Sequence, residues 1–460
     1  MRTTRTRLAS IVVGLALCSL GATNGFAAEP VEHPAPPLDR MTLEKVDDLR
    51  YLARDYEKRR CFSVARDCSQ QAFQLCYSSR GASHYQTRRE KCQLALIDWL
   101  AGLSDQDFAA YFSAIELVQE AEREARAGKD ESAVEKVTKA CATFDQLKTP
   151  ASVDYTRAYL LKSDALRISG HFSQALSAAT IASDLSVQEQ GEHSPEHGRA
   201  LCSMEAAYSS LGRLDEAVEV LCRASRIQRT CRMEETDNYA ETALISAYIL
   251  CSLGDVDRAT DALDCARGIV RNNEVSKDVE LWVLQVECEI SDTRKAADDA
   301  KSKAIEVRQF ALDNYGKASK EYAISVLACA ALNADENALE PEALRKVFQG
   351  LLEMPGTSEI DRQFARFSYS NRLIDMQQLD EAKGMIDKVL DDMRTGHANF
   401  LPKRLLSRYA EALKSAHRPD AEIAQIESEI AKIKDDVARM RTTIENDPDC
   451  WFAWERSEHP

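Results

Sequence analysis

At 460 residues the chain could hold three ordinary domains, and a hydrophobic content of 44% is ample for a core. Its 59 Lys and Arg stand against 75 Asp and Glu, a net charge of −16 that disfavours general binding of nucleic acid or anionic membranes. Only 17 glycines and 12 prolines occur, which suits long helices joined by little loop.

Residues 1–27 read as a secretory signal peptide. Arg2, Arg5 and Arg7 precede an apolar run from Leu8 to Leu20, and Gly25-Phe26-Ala27 offers small residues for cleavage. The run is short of the about 20 apolar residues of a membrane span. A lipoprotein signal ending at Cys18 is the weaker alternative, because Leu17 stands where a small residue is expected. The expected mature chain is soluble, extracytoplasmic (periplasmic or secreted) and not inserted in a membrane. Without those three arginines it holds 56 basic and 75 acidic residues, a balance of −19. Residues 28–40, with four prolines, read as an extended spacer.

From 41 to 107 come three helical patterns: Leu43, Val46, Leu49 and Leu52; Phe62, Ala65, Cys68, Ala72 and Cys76; Cys92, Leu96, Ile97 and Leu100. They are read here as a non-repeating amino-terminal cap. Cys61, Cys68, Cys76 and Cys92 concentrate in it, which makes it the expected place for a disulfide, between the second and third helices. Thirteen cysteines follow the leader. Several of the others, Cys141, Cys202, Cys251, Cys265 and Cys329, stand where a helical face wants a small buried residue.

The array itself runs from 108 to 418. Gly128, Gly170, Gly212 and Gly254 recur every forty-two residues; alanines follow at the fifth place (Ala133, Ala175, Ala217, Ala259) and the twelfth (Ala140, Ala182, Ala224, Ala266). A fixed period with glycine between two helical patterns of about 14 residues is the signature of stacked helical hairpins. Glycine ends the first helix in a left-handed conformation, and the alanines let two helices approach. Later units are marked by Ala300, Ala343, Ala382 and Ala421, which makes about eight hairpins in an all-α fold.

Leu211-Gly212-Arg213-Leu214-Asp215-Glu216-Ala217 resembles the turn between the two helices of tetratricopeptide repeats. The period is similar to the forty-two-residue variety of kinesin light chains, and Gly191-Glu192-His193-Ser194-Pro195 and Gly316-Lys317-Ala318-Ser319 resemble its junction between units. That family's glycine inside the first helix is replaced by Ala121, Ser163, Glu205 and Ala247, of which Glu205 is the odd one. The resemblance implies an α–α superhelix with a concave groove walled by the first helices, binding a protein or peptide partner. Carried over by position, it points to Arg126, Arg157, Asp164, Arg167, Arg199, Glu241 and Tyr248 as groove residues. Arginines on one wall suit carboxylates of a peptide.

Beyond the array, 419–445 reads as one long helix. Ile423, Ile426, Ile430, Ile433, Val437, Met440 and Ile444 alternate steps of three and four, either as a helix laid along the final hairpin or as a seam that pairs two copies. The tail, 446–460, is aromatic and polar. No Gly-rich phosphate loop, Gly-x-Ser-x-Gly or His-Glu-x-x-His occurs, and His193 and His197, four apart, flank Pro195. The expectation is a non-catalytic scaffold without metal or cofactor. The alternative is a self-assembling structural or envelope component that dimerises through 419–445.

Overall fold

The computed structural model describes residues 40–211, 213–231, 237–273, 275–334, 340–354, 357–394 and 403–446. Residues 1–39, expected to be a signal peptide and spacer, lie outside these residues, as do Gly212, the tail from 447 and the side chains of Ile433, Val437, Met440 and Ile444. Among the described residues there are nineteen helices and no strand. Eight hairpins follow one another: α4 (Asp105–Arg126) with α5 (Asp130–Gln146), α6 (Val153–Ile168) with α7 (Phe172–Gln190), α8 (Pro195–Ser210) with α9 (Leu214–Thr230), and α10 (Asp237–Leu253) with α11 (Val256–Asn272). Then come α12 (Lys277–Thr293) with α13 (Ala297–Tyr315), α14 (Lys320–Ala331) with α15 (Pro341–Glu353), α16 (Glu359–Asp375) with α17 (Leu379–Arg394), and α18 (Lys403–Ser415) with α19 (Asp420–Asn446). The protein is an all-α solenoid of helical hairpins, as the period implies.

One turn builds most of these hairpins. A residue with positive φ ends the first helix, for example Gly170 at 79° and Gly254 at 77°. The next residue, His171 or Asp255, has φ near −90° and ψ of 57° or 74°, and its carbonyl accepts the first bond of the second helix, from Ala175 or Ala259. Those alanines are fully buried, as are Ala140, Ala182, Ala224 and Ala266 one face further on. A longer side chain in either column would push the two helices apart. Apolar residues from successive hairpins merge into long clusters, so that no unit buries its stripe alone.

Two of the later unit markers need correction. Ala343 is half-buried and Ala421 exposed. The column falls instead on Leu344 and Ile423, each bonded from its backbone N to the residue before the helix, Glu340 or Pro419. The turns of these units are longer than the rest: six residues lie between Asn333, at φ 49°, and Glu340, and one residue, Arg418, lies between His417, at φ 51°, and Pro419. An alanine stands one place before the column in the first of these helices and two places before it in the second.

The amino-terminal segment is a further correction. α1 (Arg40–Lys58) and α2 (Phe62–Arg80) form a hairpin with the same turn, although it lacks the glycine. Arg60 takes φ 58°, Cys61 takes φ −86° and ψ 59°, and Ala65 N bonds to Cys61 O. Ala65 and Ala72, five and twelve residues after Arg60, are fully buried. They are the two alanine columns, hidden because arginine stands in the glycine place.

α3 (Tyr85–Ala101) then follows Gly81, at φ 80°, with His84 capping the helix. Gly191 with Ser194 and Gly316 with Ser319 open α8 and α14 the same way. α3 packs on α2 and also meets α7: Cys92 Sγ donates to the backbone oxygen of Glu189, 3.4 Å away, and the Arg88 guanidinium lies against Gly191. From α1, Arg54 Nη2 donates to both carboxylate oxygens of Asp154 at the start of α6, at 2.5 and 2.6 Å.

The expected disulfide between α2 and α3 is not there. Cys61, Cys68, Cys76 and Cys92 are all thiols. Cys76 instead fills the α1–α2 core with Val46 and Ala72, and burial pushes its thiol up to about 11. Cys141 is pushed to about 12 by burial and behaves as a small core residue, as do Cys251, Cys265 and Cys329.

Candidate interaction surface

Neighbouring first helices pack on one another, α4 on α6, α6 on α8, α10 on α12 and α16 on α18. The sequence-picked residues all lie on such helices, and their surroundings differ. Arg157, on α6, reaches back to Glu122 on α4 with two guanidinium nitrogens, Nε at 2.5 Å and Nη2. The same carboxylate lies 3.8 Å from Arg126, one turn along. Two of the arginines expected to receive a partner's carboxylate therefore already share one from their own chain. Sequence reasoning picked the arginines and missed Glu122, which sits four residues before Arg126, the ordinary spacing of an ion pair on a helix.

Arg167 is 92% buried on α6, and its Nε and Nη1 find no hydrogen-bond partner. Its nearby counter-charge is Glu205 on α8, the residue that departs from the small-residue pattern. Glu205 is buried, accepts a 2.7 Å bond from Ser209 Oγ, and burial raises its carboxyl to about 7. Arg167 and Glu205 thus fill, with a polar pair, space that Ala121 and Ala247 leave to small side chains in other units. Asp164, Arg199 and Glu241 are half-buried on α6, α8 and α10, and Arg199 and Glu241 make contacts of their own. Tyr248 packs against Val389 of α17 together with Phe367 of α16, so the fourth hairpin meets the seventh across the array. The seven residues do not converge on one point; they run along successive first helices.

The histidine pair is not a metal site in its geometry. His197 is buried on α8, its Nδ1 3.2 Å from Ser183 Oγ and 3.4 Å from Ser186 Oγ, and burial lowers it to about 4. His193 is exposed. Among the described residues no group of His, Cys, Asp and Glu is arranged to hold a metal ion, and no helix is long and apolar enough to cross a membrane.

A second polar cluster joins the amino-terminal block to the array. A cavity there is lined by Arg50, Arg54, Glu57, Arg89, Glu90 and Asp154, among others. Arg50 pairs with Glu90 at 2.6 Å, and Glu57 accepts from Gln93 at 2.7 Å. Burial raises both Glu57 and Glu189 to about 7.

No family profile matches the chain, and no curated relative does. Solved structures of the nearly identical TPR-like repeats assigned to a kinesin light chain of Podosopora anserina are similar at 16% identity. One covers 43% of this chain and 94% of its own, with a TM-score of 0.35. A point variant of the same repeats covers 44% and 95%, with a TM-score of 0.36. The helical-repeat architecture described above rests on the chain's own helices and columns.

Proposed function

We propose that the chain is a non-catalytic scaffold, located outside the cytoplasm, that binds a protein or an extended peptide along the side formed by its first helices. The observation that carries this reading is the division of labour within each unit. The repeated residues are buried packing residues, whereas Arg126, Asp164 and Glu241 differ from unit to unit and stay partly or fully accessible on the first helices. First helices that pack on one another, as α4 does on α6, turn that side inward and favour a groove. The arginine-led apolar leader supports the location. With Arg126 and Arg157 already sharing the carboxylate of Glu122, the acidic balance of the chain favours a partner with basic segments over the carboxylate ligand the arginines suggested.

The test is affinity capture from the extracytoplasmic fraction with the wild-type chain and with an Asp164→Arg, Glu241→Arg variant whose helicity is checked by circular dichroism. A protein retained by the first and lost by the second supports the groove. Equal retention by both removes the binding role of these residues, and capture of nothing above control overturns the scaffold.

The self-assembly reading loses ground on one observation. Ile423 and Ile426 of the heptad helix are buried against their own chain and Ile430 packs on the same cluster, so the first half of the seam is already occupied. A monomer by light scattering at micromolar concentration disposes of the dimer, and a stable dimer revives it.

A further inference from the structure

The cavity at the seam between the amino-terminal block and the array draws its charged lining from three helices. Arg50, Arg54 and Glu57 come from α1, Arg89 and Glu90 from α3, and Asp154 from the first turn of α6. At about 15 Å³ for each water, it has room for about four waters, or for one tetrahedral ion of similar bulk.

The charges around it do not cancel. Arg50 is taken up by Glu90 and Arg54 by Asp154. Burial raises Glu57 to about 7, so that below neutral pH it is largely uncharged. Arg89 is left over. It is half-buried and makes no hydrogen bond or ion pair with any described residue. Glu189 of α7, a carboxyl on which its charge acts, is also raised by burial to about 7. One acceptor is left over as well. Glu90 is 1% exposed; its Oε1 receives Arg50 Nε at 2.6 Å, and its Oε2 is buried without a hydrogen-bond partner. An unmet buried oxygen of a charged group is costly, and it calls for a donor.

The cavity wall therefore presents an uncompensated cation and an unmet acceptor on consecutive residues of one helix. Water satisfies the acceptor and leaves the guanidinium charge unanswered. Sulfate answers the charge but sets a bare oxygen against Glu90. An oxyanion that keeps a proton does both. We propose that this cavity binds inorganic phosphate in its protonated forms, Arg89 donating to the phosphate oxygens and Glu90 Oε2 accepting from the phosphate O–H. Arg50 and Arg54, each already engaged, add to the positive field around the ion. The bound ion braces the seam by mass action, because only the folded chain assembles the site. The inference does not depend on the scaffold reading.

The experiment uses the full chain at about pH 6, in a buffer without phosphate or sulfate. It is titrated with sodium phosphate and with sodium sulfate by isothermal calorimetry, and melting temperatures are measured in parallel. Phosphate is expected to bind and to raise the melting temperature. Sulfate is expected to bind at least about tenfold more weakly, since a site that accepts a ligand's proton rejects an analogue lacking it. Arg89→Gln, with helicity unchanged by circular dichroism, is expected to lose at least about tenfold in phosphate affinity. Glu90→Gln, whose amide donates, is expected to narrow the gap between the two anions. Absence of phosphate binding at millimolar concentration overturns the inference. So do equal affinities for the two anions in the wild type, an unchanged affinity in Arg89→Gln, or a phosphate preference that survives Glu90→Gln intact. The comparison of anions on the wild type needs no variant, so it decides the matter even where a variant does not fold.

Discussion

The hairpins α1–α2 and α6–α7 are built to one plan with different residues at the turn. Gly170 takes φ 79° and Arg60 φ 58°; the residue after each has φ near −90°; and the alanines that follow, Ala175 and Ala182 or Ala65 and Ala72, are all buried to 2% or less. What the hairpin requires is a left-handed turn residue and two small side chains where the helices cross. Glycine makes the first requirement cheap but is not itself the requirement. In the amino-terminal hairpin the arginine has a compensating use. Its guanidinium lies 4.1 Å from the centre of the Phe108 ring and pairs with Asp105, binding the turn to the start of α4.

If packing in the columns defines the hairpin, enlarging a column residue should cost alike in both. Ala72→Leu and Ala182→Leu are each expected to destabilise by about 1–3 kcal/mol, since neither site has room and the helices must separate. Urea unfolding followed by circular dichroism measures this. A tolerated Ala72→Leu beside a damaging Ala182→Leu would break the equivalence and return α1–α2 to the status of an irregular cap.

The next effect separates α8 from the first helices with small residues at the same place. Glu205 has its carboxyl raised by burial to about 7, against an ordinary 4.5. In the folded state it therefore holds a proton that the unfolded chain releases. Its contribution to stability falls as pH rises from about 4.5 to about 7 and is at its least favourable above that. Glu205→Gln is expected to stabilise the protein at pH 8 by on the order of 1–3 kcal/mol and to leave stability at pH 4.5 nearly unchanged. Glu57 and Glu189 add slopes of the same sign over the same range. His197, lowered to about 4, adds the opposite one, losing stability as pH falls from about 6.5 towards 4. A pH series of melting temperatures for wild type and Glu205→Gln tests this; parallel curves would place the proton elsewhere.

The architecture could be read from the chain because its signal is covalent spacing: three columns at one period locate hairpins without any knowledge of contacts. The signal failed where spacing changed. Arg60 hid the columns of α1–α2, and the longer turns before α15 and α19 moved the column from Ala343 and Ala421 to Leu344 and Ile423. Surface residues carry no such periodic constraint. Arg157 could be placed on the wall of first helices, but its ion pair with Glu122 depends on how α6 lies against α4, and the packing of Tyr248 on Val389 depends on the curvature summed over several hairpins. The cysteines fail for the same reason. Cys61, Cys68, Cys76 and Cys92 are close in sequence yet stay thiols, while Cys222, on α9, is disulfide-bonded.

Smaller effects sharpen the turn comparison itself. Gly170→Ala is expected to cost about 1 kcal/mol for the left-handed backbone alone, because a Cβ there meets nothing within 4 Å. Lys295 holds the same place in α12–α13 at φ 61° and is exposed, so Lys295→Gly is expected to gain about 0.5–1 kcal/mol. Arg60→Gly relieves the same backbone cost but gives up the contact with Phe108, which is of similar size, so it should fall within about 0.5 kcal/mol of neutral. A clear gain at Arg60 would mean that its ring contact contributes nothing.

The smallest effect concerns the ion pairs that decorate the outside of the array. Arg418 follows α18 and pairs at 2.6 Å with Asp380 in the first turn of α17, so it spans two hairpins as the Arg54–Asp154 pair does. The settings differ: the Asp380 side chain is 86% exposed and that of Asp154 13%. Water already solvates Asp380, and holding a long arginine in one geometry offsets most of the Coulomb gain. Asp380→Asn is expected to cost about 0.2–0.5 kcal/mol, shrinking further in 1 M salt, where the screening length is about 3 Å. A loss well above that, insensitive to salt, would show that contacts between hairpins at the carboxyl-terminal end depend on charge as well as on the buried columns. The regular spacing of apolar residues along α16 to α19 would then understate what holds those hairpins together.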